Sequence, residues 1–270
     1  IRRQRQMCIR DRVIVCYFMF SRGIPAIRQI GLGEFITGKI WKPTYDYFGI
    51  LPMIVGSLMV TAGALVIGVP VGIFMAVFMA RFCPRIIYKI ANPIVNLLAG
   101  IPSIIYGFFG MMIVVPFIRE HIGGKGYSIL SASIILGIMI LPTIISVSEA
   151  AIKAVPESYY EGALALGATK EISVFKTVLP AAKSGIMAAV TLGIGRAIGE
   201  TMAVQMVVGN QPRLPHSILD GVRTLTTNIV TEMGYAADLH REALIATGVV
   251  LFVFILIINL LLAFIKRRKD

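Results

Sequence analysis

The sequence predicts an all-α protein that crosses a lipid bilayer several times. Hydrophobic residues make up 57% of the 270 residues and the mean hydropathy is +0.82, whereas soluble domains contain roughly 45–50% apolar residues. Four stretches contain no charged residue: 47–80, 90–118, 126–148 and 243–265. Each is longer than the ~20 residues that an α-helix needs to cross about 30 Å of hydrocarbon. One such stretch is compatible with a buried core helix, but four indicate a polytopic membrane protein.

Two more segments bring the predicted bundle to six helices. The fifth span, 184–208, is interrupted only by Arg196 and Glu200. The hydrophobic stretch 13–21 is too short to cross a bilayer, so we expect the first helix to be truncated.

Residues 1–12 differ abruptly in composition from the rest of the chain. They are strongly basic and start without a methionine. We interpret 1–12 as a non-native or truncated leader and exclude it from fold reasoning, with a native basic cytoplasmic arm as the alternative. The predicted transmembrane domain then comprises 13–270.

The distribution of Lys and Arg predicts that both termini lie in the cytoplasm. Cationic residues are densest near the helix ends that six spans assign to the cytoplasm: Arg81, Arg85, Lys89, Lys153, Lys170, Lys176, Lys183 and the run 266–269. On the other side they are spread over longer loops, as the positive-inside rule expects. Most of the formal net charge of +12 therefore belongs to loops beside a membrane, and a nucleic-acid-binding surface is not predicted.

Glycine, alanine, serine and proline recur within the predicted spans. Small residues let helix backbones pack closely in lipid. Pro70, Pro102 and Pro142 are predicted to bend helices whose neighbours re-satisfy the freed carbonyl groups. A tightly packed passive bundle explains most of the glycines, and kinks beside a translocation route are the alternative.

The polar segment 160–180, between two hydrophobic stretches, predicts a helix, a turn and a second helix. Gly167 can adopt the positive φ that ends a helix, and Pro180, after Leu179, fits the first turn of the next one. The residues Glu161, Gly162 and Ala163 leave a shallow helix surface that another protein can approach closely. The similar triplet 149–151 lacks a following glycine at the same distance, and we expect it to begin the cytoplasmic loop instead.

Arg196 and Glu200 are charged residues near the middle of the predicted fifth span, and Thr201 follows them. A charge at the bilayer centre costs at least about 2.5–3.5 kcal/mol, so such residues face a bundle interior or an aqueous cavity and need a partner. Their spacing of four places them on one helical face, where they can pair. The pair is either a structural lock or part of an anion pathway, for which the planar guanidinium matches a tetrahedral oxyanion.

No motif for catalysis, metal binding or nucleotide binding stands out. The cysteines Cys8, Cys16 and Cys83 lack metal-ligand spacing, and the chain contains no G-x-x-x-x-G-K-[ST] loop. The histidines His121, His216 and His240 fall in predicted outer loops. We therefore predict no catalytic residue, no metal site and no cofactor bound by this chain.

Several of these motifs together resemble the C-type permease subunit of bacterial phosphate ABC importers. They are 99–110, 195–204 and 165–170, and the segment 160–180 resembles the EAA loop with which ABC importer permeases dock into their ATPase. The similarity extends from about Phe35 to the C-terminus. The companion A-type subunit also has an Arg and a Glu in its fifth span, but the continuation 202–210 is nearer to the C type. Gly162 stands where the loop usually has Ala, and Thr177 where it usually has Ile.

The resemblance implies an all-α, six-helix type I permease in the bacterial plasma (inner) membrane. It implies a heterodimer with an A-type permease, a cytoplasmic ATPase dimer that binds ATP-Mg, and an extracytoplasmic phosphate-binding protein. Phosphate would pass Arg196 and Glu200, with Thr201 beside them. The ATPase would dock on a segment that includes Glu161, Gly162, Ala163, Gly167, Leu179 and Pro180.

Two alternative functions remain open at the level of the sequence. The first is an ABC permease for another oxyanion such as sulfate or molybdate. The second is a secondary transporter, which would need carboxylates or broken helices arranged as coupling-ion sites. Glu200 is the only acidic residue deep in a predicted span, which disfavours the second alternative.

Overall fold

The computed structural model describes residues 2–267, with side chains described for 13–261 and for Phe264. Its helices are α1 Arg2–Ile30, α2 Leu32–Thr37, α3 Leu51–Val77, α4 Arg85–Gly100, α5 Ser103–Phe109, α6 Val115–His121, α7 Ile129–Lys153, α8 Glu157–Ala165, α9 Lys170–Ser173, α10 Leu179–Ala181, α11 Lys183–Gly199, α12 Met202–Val207, α13 Leu225–Glu232 and α14 Asp238–Arg267. Short π-helical segments follow α3, α5 and α9, namely Phe78–Phe82, Gly110–Val114 and Val174–Val178. A two-stranded antiparallel hairpin, β1 Trp41–Lys42 and β2 Tyr47–Phe48, precedes α3.

Five helical stretches are long and apolar enough to cross a membrane. They are Val13–Ile30, Leu51–Phe82, Ser103–His121, Ile129–Lys153 and Asp238–Leu261. A sixth span is formed if Lys170–Ala181 and Lys183–Gly199, which meet at 69°, count as one broken crossing. The number then agrees with the six predicted spans, but this bent pair overlaps the predicted fifth span, 184–208, only over 184–199.

The first span is longer than the sequence predicts. The stretch 13–21 does not end the hydrophobic helix, because α1 continues through Arg22 and Pro25 to Ile30. Arg22 lies 3.8 Å from Glu242 of α14, so its charge has a partner. The expectation that this segment is too short to cross a membrane is therefore wrong. The leader interpretation of 1–12 stays a prediction: residues 2–12 continue α1, and residue 1 lies outside the described residues.

The prediction that 90–118 forms one continuous crossing is also wrong. Helix α4 ends at Gly100, Ile101 and Pro102 are extended, and the crossing starts at Ser103. Proline disfavours helical backbone at the residue before it, so an uncharged stretch alone does not keep the helix continuous. Pro70 and Pro142, in contrast, lie inside uninterrupted helices.

Helices α3 and α7 form the centre of the bundle and run side by side in the same direction. Gly63 faces Ser133, Gly68 faces Gly137 and Ile140, and Gly72 faces Ile144. Small residues thus allow the close backbone approach that packing in lipid requires. We call the end where α3 and α7 finish the α8 end, and the other end, next to β1 and β2, the hairpin end.

Exchanging Gly68 for leucine should weaken this helix pair. A Cβ on Gly68 would lie 2.9 Å from the Gly137 carbonyl oxygen and 2.9 Å from Ile140, and overpacking typically costs about 1–3 kcal/mol. We expect a lower melting temperature for Gly68→Leu than for Gly100→Leu, where nothing lies within 4 Å of the added Cβ. Thermal unfolding in detergent, followed by intrinsic fluorescence, makes the comparison. Equal melting temperatures would contradict the close α3–α7 packing.

Candidate functional site

The turn after α8 has the local geometry that the sequence predicts. Gly167 has φ +87°, its N–H donates to the Leu164 carbonyl at 2.9 Å, and the Ala168 N–H donates to the Ala163 carbonyl at 3.1 Å. These two bonds define a Schellman motif, whose left-handed residue is usually glycine. The predicted positive φ at Gly167 is confirmed.

The helix after the turn begins earlier than predicted. Thr169 caps α9 by accepting a hydrogen bond from the Ile172 N–H at 3.4 Å, so Pro180 does not lie in the first turn after Gly167. It lies in α10, behind the π-helical segment Val174–Val178, in which the Leu179 N–H bonds to the Val174 carbonyl. A local π turn rearranges the backbone bonds ahead of a proline that has no N–H.

One side of this helix–turn–helix is exposed and the other is anchored. No residue of α8 is buried, nothing lies within 4 Å of a Cβ added to Gly162, and Leu166 is 91% exposed. On the other side, Val174 and Val178 pack in a core with Ile152 of α7. The arrangement presents small and apolar residues on a supported surface, which suits docking by another protein.

An ion pair that the sequence reasoning missed ties α8 to α3. The Arg81 guanidinium lies 2.7 Å from the Glu157 carboxylate and 5.6 Å from the centre of the Tyr160 ring. The Arg81 side chain is 11% exposed, whereas the Glu157 side chain is 58% exposed, so the ion pair lies at the surface of the protein. The ion pair thus links the start of α8 to the π-helical segment Phe78–Phe82 at the end of the second span.

Glu149 does not begin a loop as expected. It lies within α7 and is 7% exposed. Its carboxylate lies 2.7 Å from Lys153 Nζ and accepts a hydrogen bond from the Tyr88 hydroxyl at 2.8 Å. Glu149 is thus a buried acidic residue within a spanning helix, and it joins α4 to the α8 end of α7.

The predicted Arg196–Glu200 pair is wrong in its geometry. Helix α11 ends at Gly199, and Glu200 has extended backbone with φ −71° and ψ 133°. Its carboxylate accepts a hydrogen bond from the Ala203 N–H at 3.2 Å, in the first turn of α12. Within the described residues, Arg196 and Glu200 form no ion pair within 4.0 Å. Because the helix ends between the two residues, their side chains no longer lie on one helical face, as the predicted pairing required.

Arg196 instead bonds to a neighbouring span. Its Nη1 donates to the Thr143 hydroxyl of α7 at 3.2 Å, and its side chain is half-buried. This is the single side-chain hydrogen bond that Arg196 makes among the described residues, whereas a guanidinium has five N–H donors. Nothing lies within 4 Å of a Cβ added to Gly195 or Gly199. Arg196 therefore has donors available beside open space, which is what an oxyanion needs.

Glu200 and Thr201 occupy the break between α11 and α12. The Glu200 carbonyl accepts a hydrogen bond from the Thr226 hydroxyl at 3.1 Å, and the Thr201 hydroxyl donates to the Gly199 carbonyl at 3.3 Å. Glu200 also lines a cavity of about 10 Å³, whose other polar walls are Ser57, Thr61, Thr224 and Thr226. Sequence reasoning missed these hydroxyl groups, because they come from other helices and carry no charge.

A buried polar network lies at the hairpin end. The Glu232 carboxylate, 6% exposed, accepts hydrogen bonds from Trp41 Nε1 at 2.8 Å and from Arg223, and it lies 2.8 Å from His240 Nε2. Arg223 Nε also donates to the Asn210 carbonyl at 3.1 Å. These bonds fix the 209–224 loop against β1 and α14, and they assign His240 a structural role.

Solved structures with the same helical arrangement identify the fold. The MetNI methionine ABC transporter gives a TM-score of 0.61 at 23% identity, covering 82% of this chain and 94% of that one. A bacterial alginate ABC transporter gives a TM-score of 0.62 at 18% identity, covering 99% and 95%. The fold is that of a type I ABC importer permease, as predicted.

Sequence comparisons identify the family. The family model described as "Binding-protein-dependent transport system inner membrane component" matches residues 68–270, and the chain belongs to that family. The probable ABC transporter permease protein YqgH of Bacillus subtilis is 40% identical over 95% of this chain and 85% of its own length. The phosphate transport system permease protein PstC of Xylella fastidiosa is 35% identical over 93% and 85%. A third relative, a probable PstC of Methanocaldococcus jannaschii, is 32% identical over 96% and 89%.

These relatives confirm three predictions made from the sequence motifs. The resemblance to C-type permeases is confirmed by the PstC proteins. The chain is a transport subunit rather than an enzyme. It is also a multi-pass membrane protein.

Proposed function

We propose that this chain forms half of the translocation pathway of an ATP-driven phosphate importer. The observation that carries the proposal is Arg196, half-buried in a spanning helix with unused donors beside open space. The permease relatives named for phosphate transport support phosphate as the anion. An A-type permease would supply the other half of the pathway, and a phosphate-binding protein would deliver phosphate to the hairpin end.

The charges at the helix break fit transient passage of an anion. Arg196 can hold a tetrahedral oxyanion through two parallel N–H bonds, while its bond to Thr143 keeps the guanidinium in place. Glu200 is held at the start of α12, and its negative charge raises the free energy of an anion that stays nearby. Arg196 thus attracts phosphate, and Glu200 prevents it from being trapped.

In the proposed orientation, the α8 end and both termini face the cytoplasm. A cytoplasmic ATPase dimer would dock on the exposed surface of Glu161, Gly162 and Ala163, and ATP-Mg would bind to that partner. The core around Val174 and the Arg81–Glu157 pair connect this surface to α3 and α11. ATP binding would move α8 and thereby alternate the access of the bundle between the two sides.

Reconstitution with its partners tests the proposal. The purified complex in proteoliposomes, with loaded binding protein outside and ATP inside, should import radiolabelled phosphate, and an excess of sulfate or molybdate should not compete. Import of sulfate or molybdate instead would identify the chain as a permease for another oxyanion. Import that needs an ion gradient and continues without ATP would identify a secondary transporter.

A further inference from the structure

A cavity of about 530 Å³ opens at the hairpin end, away from Arg196. Three chain segments enclose it: the turn before α7, the end of α12 with its following loop, and the residues just before Arg223. Its polar lining includes Lys125, Tyr127, Gln211, Arg213 and Asp220. Its volume is within the range of small-molecule sites in proteins.

Backbone hydrogen bonds hold the walls of this cavity together. The Ser128 N–H donates to the Val207 carbonyl at 3.2 Å, the Ile129 N–H to the Asp220 carbonyl at 3.0 Å, and the Val222 N–H to the Val208 carbonyl at 3.0 Å. All three segments are therefore linked without side chains. A preformed cavity avoids the ordering cost that a flexible loop would pay on binding.

The lining carries more positive than negative charge. Lys125 and Arg213 are exposed and form no ion pair within 4.0 Å in the described part of the chain. The Asp220 carboxylate is already bonded to the N–H groups of His216 at 2.9 Å and Ser217 at 3.0 Å. These two hydrogen bonds, with a smaller contribution from the nearby Arg213, lower the pKa of Asp220. The cavity is thus lined by two cations and by one carboxylate that already accepts two backbone hydrogen bonds.

Helix α12 connects the helix break to the wall of the cavity. Helix α12 starts directly after Thr201, and Met206 near its other end and Gly209 just beyond it line the cavity. The six residues of α12 span about 9 Å at a rise of 1.5 Å per residue. An anion in the cavity is therefore one short helix away from Glu200 and Arg196.

We propose that this cavity is a second oxyanion site, which receives inorganic phosphate at the hairpin end before it reaches Arg196. The inference rests on the proposed function, because it assumes that phosphate enters from this end. Lys125 and Arg213 would neutralise the anion, and Tyr127 and Gln211, which form no side-chain hydrogen bonds among the described residues, would donate to its oxygens. The alternative occupant is an acidic side chain of a docked protein, but a preformed cavity of this volume favours a small anion.

The test is the double substitution Lys125→Gln with Arg213→Gln in the reconstituted complex. Radiolabelled phosphate imported per ATP hydrolysed, at saturating loaded binding protein, should fall roughly fivefold or more, because two charge-assisted contacts are lost. Binding-protein affinity for the complex should change less than about twofold. The control, Lys39→Gln with Arg119→Gln, removes the same charge from exposed positions outside the cavity and should leave both quantities unchanged.

Three other outcomes are informative. A large loss of binding-protein affinity with normal import per docked molecule would show that the cations hold an acidic protein side chain, and it would overturn the proposal. Unchanged import and affinity would show that phosphate does not use the cavity, which also overturns it. Failure of the unaltered complex to import phosphate would contradict the proposed function itself, independently of the variant.

Discussion

Replacing Gly167 with valine should abolish phosphate import while the permease still inserts and assembles. Gly167 has φ +87°, and a non-glycine residue in such a conformation costs about 1–3 kcal/mol. Valine, which is β-branched, is especially unfavourable there. Since nothing lies within 4 Å of the added Cβ, the effect comes from the turn and not from a clash. Without the two Schellman bonds, α8 loses its angle to α9 and the ATPase loses its docking surface.

ATPase activity of the reconstituted complex measures this coupling. In Gly167→Val, hydrolysis should no longer respond to loaded binding protein. Gly167→Asn is the matched control, because asparagine tolerates left-handed backbone, and it should keep most of the stimulation. Normal stimulation of Gly167→Val would show that the turn does not position the docking surface.

Exchanging Arg196 for glutamine should reduce phosphate import roughly 100-fold, which corresponds to about 2.7 kcal/mol. The variant removes the positive charge and the planar fork, while glutamine can still reach a polar neighbour such as Thr143. Arg196→Lys keeps the charge but loses the fork, so it should assemble and import less than the unaltered protein. Thr143→Val removes the bond that holds the guanidinium and should have a smaller effect than either.

The double variant Arg196→Gln with Glu200→Gln separates a pathway role from a structural lock. Since the two side chains do not pair in the structure, removing both charges should not restore import. Uptake of radiolabelled phosphate is compared in membranes matched for assembled complex. Near-normal uptake by the double variant would reduce Arg196 and Glu200 to residues that stabilise the bundle.

Features that depend on a few consecutive residues were predictable without a structure. Hydrophobic stretches near the length of a bilayer crossing indicate spans, because lipid excludes unpaired backbone groups. The Gly167 turn was equally accessible, since both Schellman bonds lie within 163–168. The motifs around Pro102 and Arg196 are also short runs of consecutive residues, so the family could be predicted from them without a structure.

The continuity of the helices and the partners of the charged residues were decided by tertiary structure. Hydropathy does not reveal that the third crossing starts at Ser103, or that α11 stops before Glu200. At the second break, the Thr226 hydroxyl bonds to a carbonyl released from the helix. Arg196 bonds to Thr143, far away in sequence.

The cavity at the hairpin end most clearly separates what the sequence predicts from what the tertiary structure decides. Lys125 and Arg213 are ordinary loop cations in the sequence, and they face one space only because backbone bonds connect segments from three parts of the chain. Residue type and spacing govern local backbone geometry and membrane insertion. Which distant polar groups meet depends on how the helices pack, since a buried polar group must find its partner wherever the packing places one.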